Sequence, residues 1–194
     1  MEPSIVVGVD EAGRGALAGP VVASAVIINK SSKSLQFKDS KALSPSARKK
    51  LYDLINKTCL IGIGIIQSKE IDKINILQAS LKAMKKAILD LNPPKNAKIL
   101  VDGNKIPNLK QFNIQSIVKG DQYINQISAA SIIAKITRDS IMNSYMSIYK
   151  GYSFDSHKGY GTKKHYQEIH KLGITENHRR SFNLTIQQTL FCES

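Results

Sequence analysis

Ile5-Val6-Val7-Gly8-Val9-Asp10-Glu11-Ala12-Gly13-Arg14-Gly15 is the stretch whose reading decides the fold. The unbroken apolar run from Ile5 to Val9 suits a strand buried on both faces, and it delivers two carboxylates, Asp10 and Glu11, at its tip. Gly13, Gly15 and Gly19 then mark a turn, and Val21 to Ile28 reads as a second, β-branched strand. Working outward, Leu60 to Ile66 reads as a third strand. Ile99 to Val101 is a fourth that terminates in Asp102, and Phe112 to Val118 is a fifth, followed by Lys119-Gly120-Asp121.

Helices fill the intervals. Ser44 before Pro45 is a helix start, a capping hydroxyl with proline at the first helical position, and Ala47, Leu51, Leu54 and Ile55 recur at helical spacing behind it. Leu77, Leu81, Met84, Ile88 and Leu91 form a second stripe, opposite Lys82, Lys85 and Lys86, and Pro93-Pro94 stops it. A long helix is expected from about Tyr123 to Ile148, with small residues (Ser128 to Ser131, Ala134) that allow close packing on a sheet. The order implies a single α/β domain with a mixed sheet flanked by helices. From Gly151 onward the character changes. All four histidines, His157, His165, His170 and His178, crowd there with little apolar periodicity, and residues 151–194 read as a cover over a site on the unit formed by 1–150.

Composition narrows the class. With 194 residues, 42% hydrophobic and 22% charged, the chain can bury one full core and is not disordered. No apolar stretch approaches the ~20 residues of a membrane span. Glu2 and the very short apolar run behind it do not make an export signal. Cys59 and Cys192 have neither metal-ligand nor disulfide-framework spacing, so a reduced, cytoplasmic protein without membrane attachment is expected, and nothing points to an obligate oligomer. Lys plus Arg number 28 against 15 Asp plus Glu, a formal charge of +13, which favours a polyanionic partner over lysines that merely solvate the surface.

Against that charge, an acidic pocket stands out. A single acid after a strand is usually a turn residue. Should the ends bearing Asp10, Glu11, Asp102 and Asp121 share one edge, four carboxylates would raise one another's pKa unless a cation neutralised them. Oxygen-only ligands favour Mg²⁺ or Mn²⁺ over zinc. A basic surface would hold a nucleic-acid backbone while one or two such ions activate water for in-line attack on phosphorus. Asp139 is a poorer ligand candidate. It lies 139 − 121 = 18 residues past Asp121, ~27 Å along a helix, and an ion pair is expected for it instead.

Val9-Asp10-Glu11-Ala12-Gly13-Arg14-Gly15 resembles the signature of the bacterial type 2 ribonucleases H. Asp39-Ser40-Lys41, Asn75 to Ser80, Val101-Asp102-Gly103, Lys119-Gly120-Asp121, Ala129 to Lys135, His157 to Thr162 and His178 to Phe182 follow in that family's order. The resemblance covers almost the whole chain. It implies an RNase H-like fold with a five-stranded mixed sheet and a C-terminal helical extension. The implied activity is cleavage of RNA in RNA–DNA hybrids, with incision 5′ of single ribonucleotides in duplex DNA that leaves a 3′-hydroxyl and a 5′-phosphate. Its four metal-binding acids fall on Asp10, Glu11, Asp102 and Asp121.

The resemblance further implies that Gly13-Arg14-Gly15 brings backbone amides close to the nucleic acid, and that Tyr160 stacks beneath the sugar beside the ribonucleotide. Lys41, Lys158 and Arg179 are expected phosphate contacts, and His157 and His178 are given structural or phosphate-facing roles, since metal-activated water needs no histidine base. Asn177 departs from the aliphatic residue usual before His178. Gln187, Leu190 and Phe191 resemble a sliding-clamp docking peptide, set against an apolar chain end folded on the domain. The competing functions are a non-catalytic hybrid-binding protein, which would not need the acids, and the type 3 branch. That branch usually carries an extra N-terminal domain, for which a first strand at Ile5 leaves no room.

Overall fold

The computed structural model describes residues 5–32, 34–37 and 44–185. Lys41 and the tail residues Gln187, Leu190 and Phe191 lie outside the described residues. Five strands, β1 (Val6–Ala12), β2 (Val21–Ile28), β3 (Cys59–Ile66), β4 (Lys98–Asp102) and β5 (Asn113–Ile117), form one sheet in the order β3-β2-β1-β4-β5. β1 runs antiparallel to β2, as does β2 to β3, whereas β1–β4 and β4–β5 are parallel. The mixed sheet is the expected one. Helices α1 (Pro45–Thr58), α2 (Ser68–Leu91), α3 (Gly120–Tyr123), α4 (Asn125–Ile148), α5 (Phe154–His157) and α6 (Lys163–Leu172) complete the fold. Ser44 caps α1 as its sequence suggests, its hydroxyl accepting from Ala47 N–H at 3.2 Å.

Strand alternation sorts the core into two layers. Val7, Val9, Ala23 and Ala25 pack against Ala79, Ala83, Ala87 and Ile88 of α2. The opposite face sets Val26 and Ile28 against Ala129, Ala130, Ile132 and Ile133 of α4, with Ile55 of α1 beside them. Asp10 and Ser24 pair in register and lie on this second face by the same alternation. Gly8 decides how close α4 comes, because a Cβ there would sit 2.1 Å from the carbonyl carbon of Gln126. The first turn of α4 therefore rests directly on the centre of β1.

Strands β3 to β5 differ from the sequence reading by a residue or so at their ends, and three further boundaries bear on the site. β1 continues through Asp10 and Glu11 to Ala12, because both acids pair with β2, opposite Ser24 and Ala23. α2 starts at Ser68, well before Leu77, but is broken at Asn75 (φ 65, ψ 165), whose Oδ1 accepts the Gln78 N–H and caps the second piece. Lys119 turns the chain at φ 55 into α3, so Asp121 occupies the first turn of a short helix and not a strand tip. Among the described residues no helix is long and apolar enough to cross a membrane.

Candidate active site

The topology makes neighbours of acids far apart in sequence. β1 and β4 are adjacent parallel strands with Val9 opposite Val101, so Asp10 and Asp102 are the next residues along the same edge. Asp121 joins them through the turn after β5: Gly120 N–H donates to Asp102 Oδ1 at 2.7 Å, which puts the main chain of Asp121 one residue from that carboxylate. Ser128 Oγ of α4 donates to the Asp121 carbonyl and holds α3 against α4.

Asp10 is only 5% exposed, and burial, then the charges of Glu11 and Asp102, push its carboxyl well above the ordinary range. Hydrogen bonds from Ser131 and from the Glu11 N–H, the latter at 2.7 Å, pull the other way without winning. Glu11 is raised chiefly by burial as well, against the opposing pull of Arg14 at 3.2 Å. That arginine side chain is 52% exposed, so its compensation is screened.

These residues suit a hard divalent cation on chemical grounds: the donors are all oxygen, and the clustered carboxylates carry repulsion that one proximal arginine leaves uncancelled. Among the described residues no group of three or more His, Cys, Asp or Glu side chains is already arranged to hold a metal ion. The backbone supplies the neighbourhood, and side-chain rotation must supply the rest.

Beside the acids lies a cavity of about 350 Å³, lined by Glu11, Gly13, Arg48, Ser131, Lys135 and Tyr160 among others. The loop after β1 forms one wall. Gly13 has φ 96, and a Cβ on it would meet Arg138 Nε at 2.1 Å, so this position demands glycine twice over. Arg14 and Gly15, the next residues of this loop, are exposed. Tyr160 is half-buried and held to the same loop by a bridge to Ala16, with Lys135 Nζ 5.5 Å and the Arg138 guanidinium 5.1 Å from its ring centre. Sequence reasoning did not single out Ser131, Lys135 or Arg138. Their spacing of four and then three residues along α4 puts them on one helical face, and that was the available signal.

Three of the four histidines, His157, His165 and His178, are interior groups, and His170 is exposed. His178 Nδ1 accepts from Thr175 N–H at 2.9 Å, so its Nε2 carries the proton and donates to His165 Nε2 at 3.1 Å. His165 Nδ1–H in turn donates to the Tyr160 carbonyl at 3.0 Å. His157 Nδ1 accepts from Gly159 N–H, and its Nε2 donates to Glu168 at 2.9 Å. Burial depresses all three, His165 and His178 to about 4. These bonds fix the Gly159–Tyr160 backbone and engage both ring nitrogens of His157 and His178 inside the protein, the structural one of the two roles expected for them.

Arg179 is a second correction. Expected at a phosphate, it is fully buried and donates to the carbonyls of Gly13, Arg14 and Gly19 at 2.7 to 3.0 Å. Lys158 donates through Nζ to Asn143 Oδ1. Asp139 pairs with Lys135 at 2.9 Å, as its helix position suggested. Asn177, the departure before His178, is accommodated: its Nδ2 donates to Tyr149 Oη at 2.9 Å and its carbonyl accepts from Gly19 N–H.

A five-stranded mixed sheet of this order, with carboxylates gathered at one edge of its central strands, defines an RNase H-like fold. Comparison with known proteins gives the family. Residues 7–185 match the family model described as ribonuclease HII. Ribonuclease HII of Pelagibacter ubique (strain HTCC1062) is 49% identical over 179 residues, 92% of this chain and 96% of that protein. Among solved structures, the ribonuclease HII in the PCNA:RNase HII complex from Archaeoglobus fulgidus superposes with a TM-score of 0.76 at 25% identity, covering 96% of this chain and 98% of that one. Bst-RNase HIII, solved in complex with Mn²⁺, shares the fold at a TM-score of 0.69 and 18% identity, over 94% of this chain and 68% of that one. The chain belongs to the ribonuclease HII family. It is a ribonuclease H, a divalent-metal-dependent endonuclease that hydrolyses RNA in RNA–DNA hybrids.

Proposed function

We propose that this ribonuclease H also incises duplex DNA on the 5′ side of a single embedded ribonucleotide, leaving a 3′-hydroxyl and a 5′-phosphate, and so serves ribonucleotide removal in DNA replication and repair. Asp10, Glu11, Asp102 and Asp121 hold Mg²⁺ or Mn²⁺ in this reading. Residues 1–150 carry the chemistry and 151–194 cover it. The observation that carries the proposal is the juxtaposition, in a chain of charge +13, of mutually repelling carboxylates with a cavity lined by Gly13, Lys135 and Tyr160.

When bound, the divalent ions would supply a water nucleophile at neutral pH and charge stabilisation for the leaving oxygen. The chain's own residues bind and orient. Ser131 and the Glu11 N–H hold the Asp10 carboxylate, and the Gly120 N–H holds that of Asp102. Lys135 lines the cavity and Arg14 pairs with Glu11 beside it, which places positive charge where a phosphodiester backbone would run. Tyr160 offers its ring to the sugar next to the ribonucleotide.

A duplex with one ribonucleotide, incubated with and without Mg²⁺ or Mn²⁺ and mapped at nucleotide resolution, tests the reading. The expected outcome is a single cation-dependent cut 5′ of the ribonucleotide. Cleavage of RNA tracts alone would favour the type 3 specificity instead. The Archaeoglobus fulgidus protein was solved with PCNA, and this supports a second reading in which Gln187, Leu190 and Phe191 dock on a sliding clamp. Loss of clamp binding on deletion of 187–194 is the expected result, and unchanged binding would refute it.

A further inference from the structure

Two buried arginines with no carboxylate hydrogen-bonded to either among the described residues are unusual, and here both converge on one loop. Arg138 of α4 and Arg179 of the C-terminal segment are each fully buried. Arg138 donates to the carbonyls of Pro20, Lys158 and Ala18 at 2.8 to 3.0 Å. Arg179 donates to those of Gly13, Arg14 and Gly19. Six main-chain carbonyls are thereby held by two planar forks, a geometry that a lysine ammonium cannot reproduce.

The consequence lies on the other side of those peptides. In a trans peptide the C=O and N–H point in opposite directions. Tying the Gly13 and Arg14 carbonyls inward to Arg179 turns the N–H groups of Arg14 and Gly15 outward, at exposed positions. Neither N–H finds a protein acceptor among the described residues. A Cβ on Gly15 would meet nothing within 4 Å among the described residues, so this part of the loop is uncrowded. The Arg138 guanidinium also lies 5.1 Å from the Tyr160 ring and donates to the Lys158 carbonyl from the same fork, which ties the tyrosine-bearing loop to the glycine loop.

We propose that Arg138 and Arg179 are positioning residues for ribonucleotide selection: by gripping the carbonyls of the Gly13–Pro20 loop they aim the Arg14 and Gly15 N–H groups, and hold Tyr160 at a fixed distance from them, so that a ribose hydroxyl is read by pre-set donors. Neither arginine touches the substrate. The inference rests on the ribonucleotide specificity proposed above and adds residues to it.

The test compares wild type with Arg179→Lys and Arg138→Lys by measuring affinity for a duplex with one ribonucleotide and for the same duplex in all-DNA form, alongside thermal unfolding. A folded Arg179→Lys protein is expected to lose about tenfold of its preference for the ribonucleotide duplex, as for one well-made hydrogen bond misplaced, while its all-DNA affinity changes less than twofold. Amide hydrogen exchange on wild-type protein provides a readout that needs no variant. The Arg14 and Gly15 amides are expected to exchange fast in the free protein and to be protected by the ribonucleotide duplex but not by all-DNA. Preference retained in both folded lysine variants overturns the positioning role alone, as does exchange at Arg14 and Gly15 that is indifferent to the ribonucleotide. A wild type that shows no preference overturns the specificity reading itself, and this inference with it.

Discussion

Gly15→Ala separates what the loop does for the fold from what it does for the substrate. Gly15 has no positive φ, stands exposed, and would give an added methyl nothing to touch within 4 Å. The fold has no need of glycine there. Alanine should stabilise the chain by ~0.4–1 kcal/mol by narrowing the unfolded ensemble, a rise in Tm of about 1–4 °C for a chain of this size. Substrate binding should move the other way. The methyl would crowd a substrate drawn up to the Arg14 and Gly15 N–H groups, and forfeiting two hydrogen bonds at ~0.5–1.5 kcal/mol each amounts to about 5- to 150-fold in kcat/KM. The assay is steady-state cleavage of a single-ribonucleotide duplex, paired with calorimetric unfolding of the same preparation. A folded Gly15→Ala enzyme with undiminished kcat/KM would refute the idea that substrate approaches this loop.

Gly13→Ala should show the opposite pattern, a loss of at least ~2 kcal/mol of stability in denaturant unfolding, because φ 96 and the 2.1 Å approach to Arg138 Nε both forbid a Cβ. Asp10→Asn should abolish cleavage while duplex affinity by anisotropy stays equal or improves. In chelator at pH 7 the same variant should melt at a higher temperature than wild type, since a carboxyl whose folded pKa is raised costs stability once it ionises. The histidine chain sets an acid limit. His165 and His178 are held at about 4 when folded against ~6.5 when unfolded. Their contribution is therefore complete above pH 6.5 and lost as pH falls toward 4. Unfolding titrations should show a drop of roughly 3 kcal/mol for each of the two histidines across that window, reduced in His165→Gln.

What the sequence disclosed and what it withheld divide along a physical line. Strand ends carrying Asp10 and Asp102 were legible because local apolar runs and their terminating acids are adjacent in sequence, and the helix at Ser44-Pro45 was legible for the same reason. The adjacency of β1 to β4 was not, because a parallel pairing between residues some 90 positions apart leaves no local mark. Arg179 misled for a related reason. A basic residue in a basic chain looks like a phosphate contact, and only the tertiary structure shows its fork closed on carbonyls 160 or more positions away. Asp121 was assigned to a strand tip because the reversal at Lys119, with φ 55, defies lysine's usual conformation. The histidines showed as a crowd but not as a bonded chain, since tautomers follow from partners and not from composition.

Cation binding by the four acids is most directly tested by titrating the metal alone. Mn²⁺ added to chelator-treated protein should bind saturably by calorimetry or electron paramagnetic resonance. Asp10→Asn, Asp102→Asn and Asp121→Asn, each checked for folding, should weaken that binding by about tenfold or more, the equivalent of ~1.4 kcal/mol. Affinity unchanged in Asp102→Asn or Asp121→Asn would contradict a shared metal centre at this edge of the sheet.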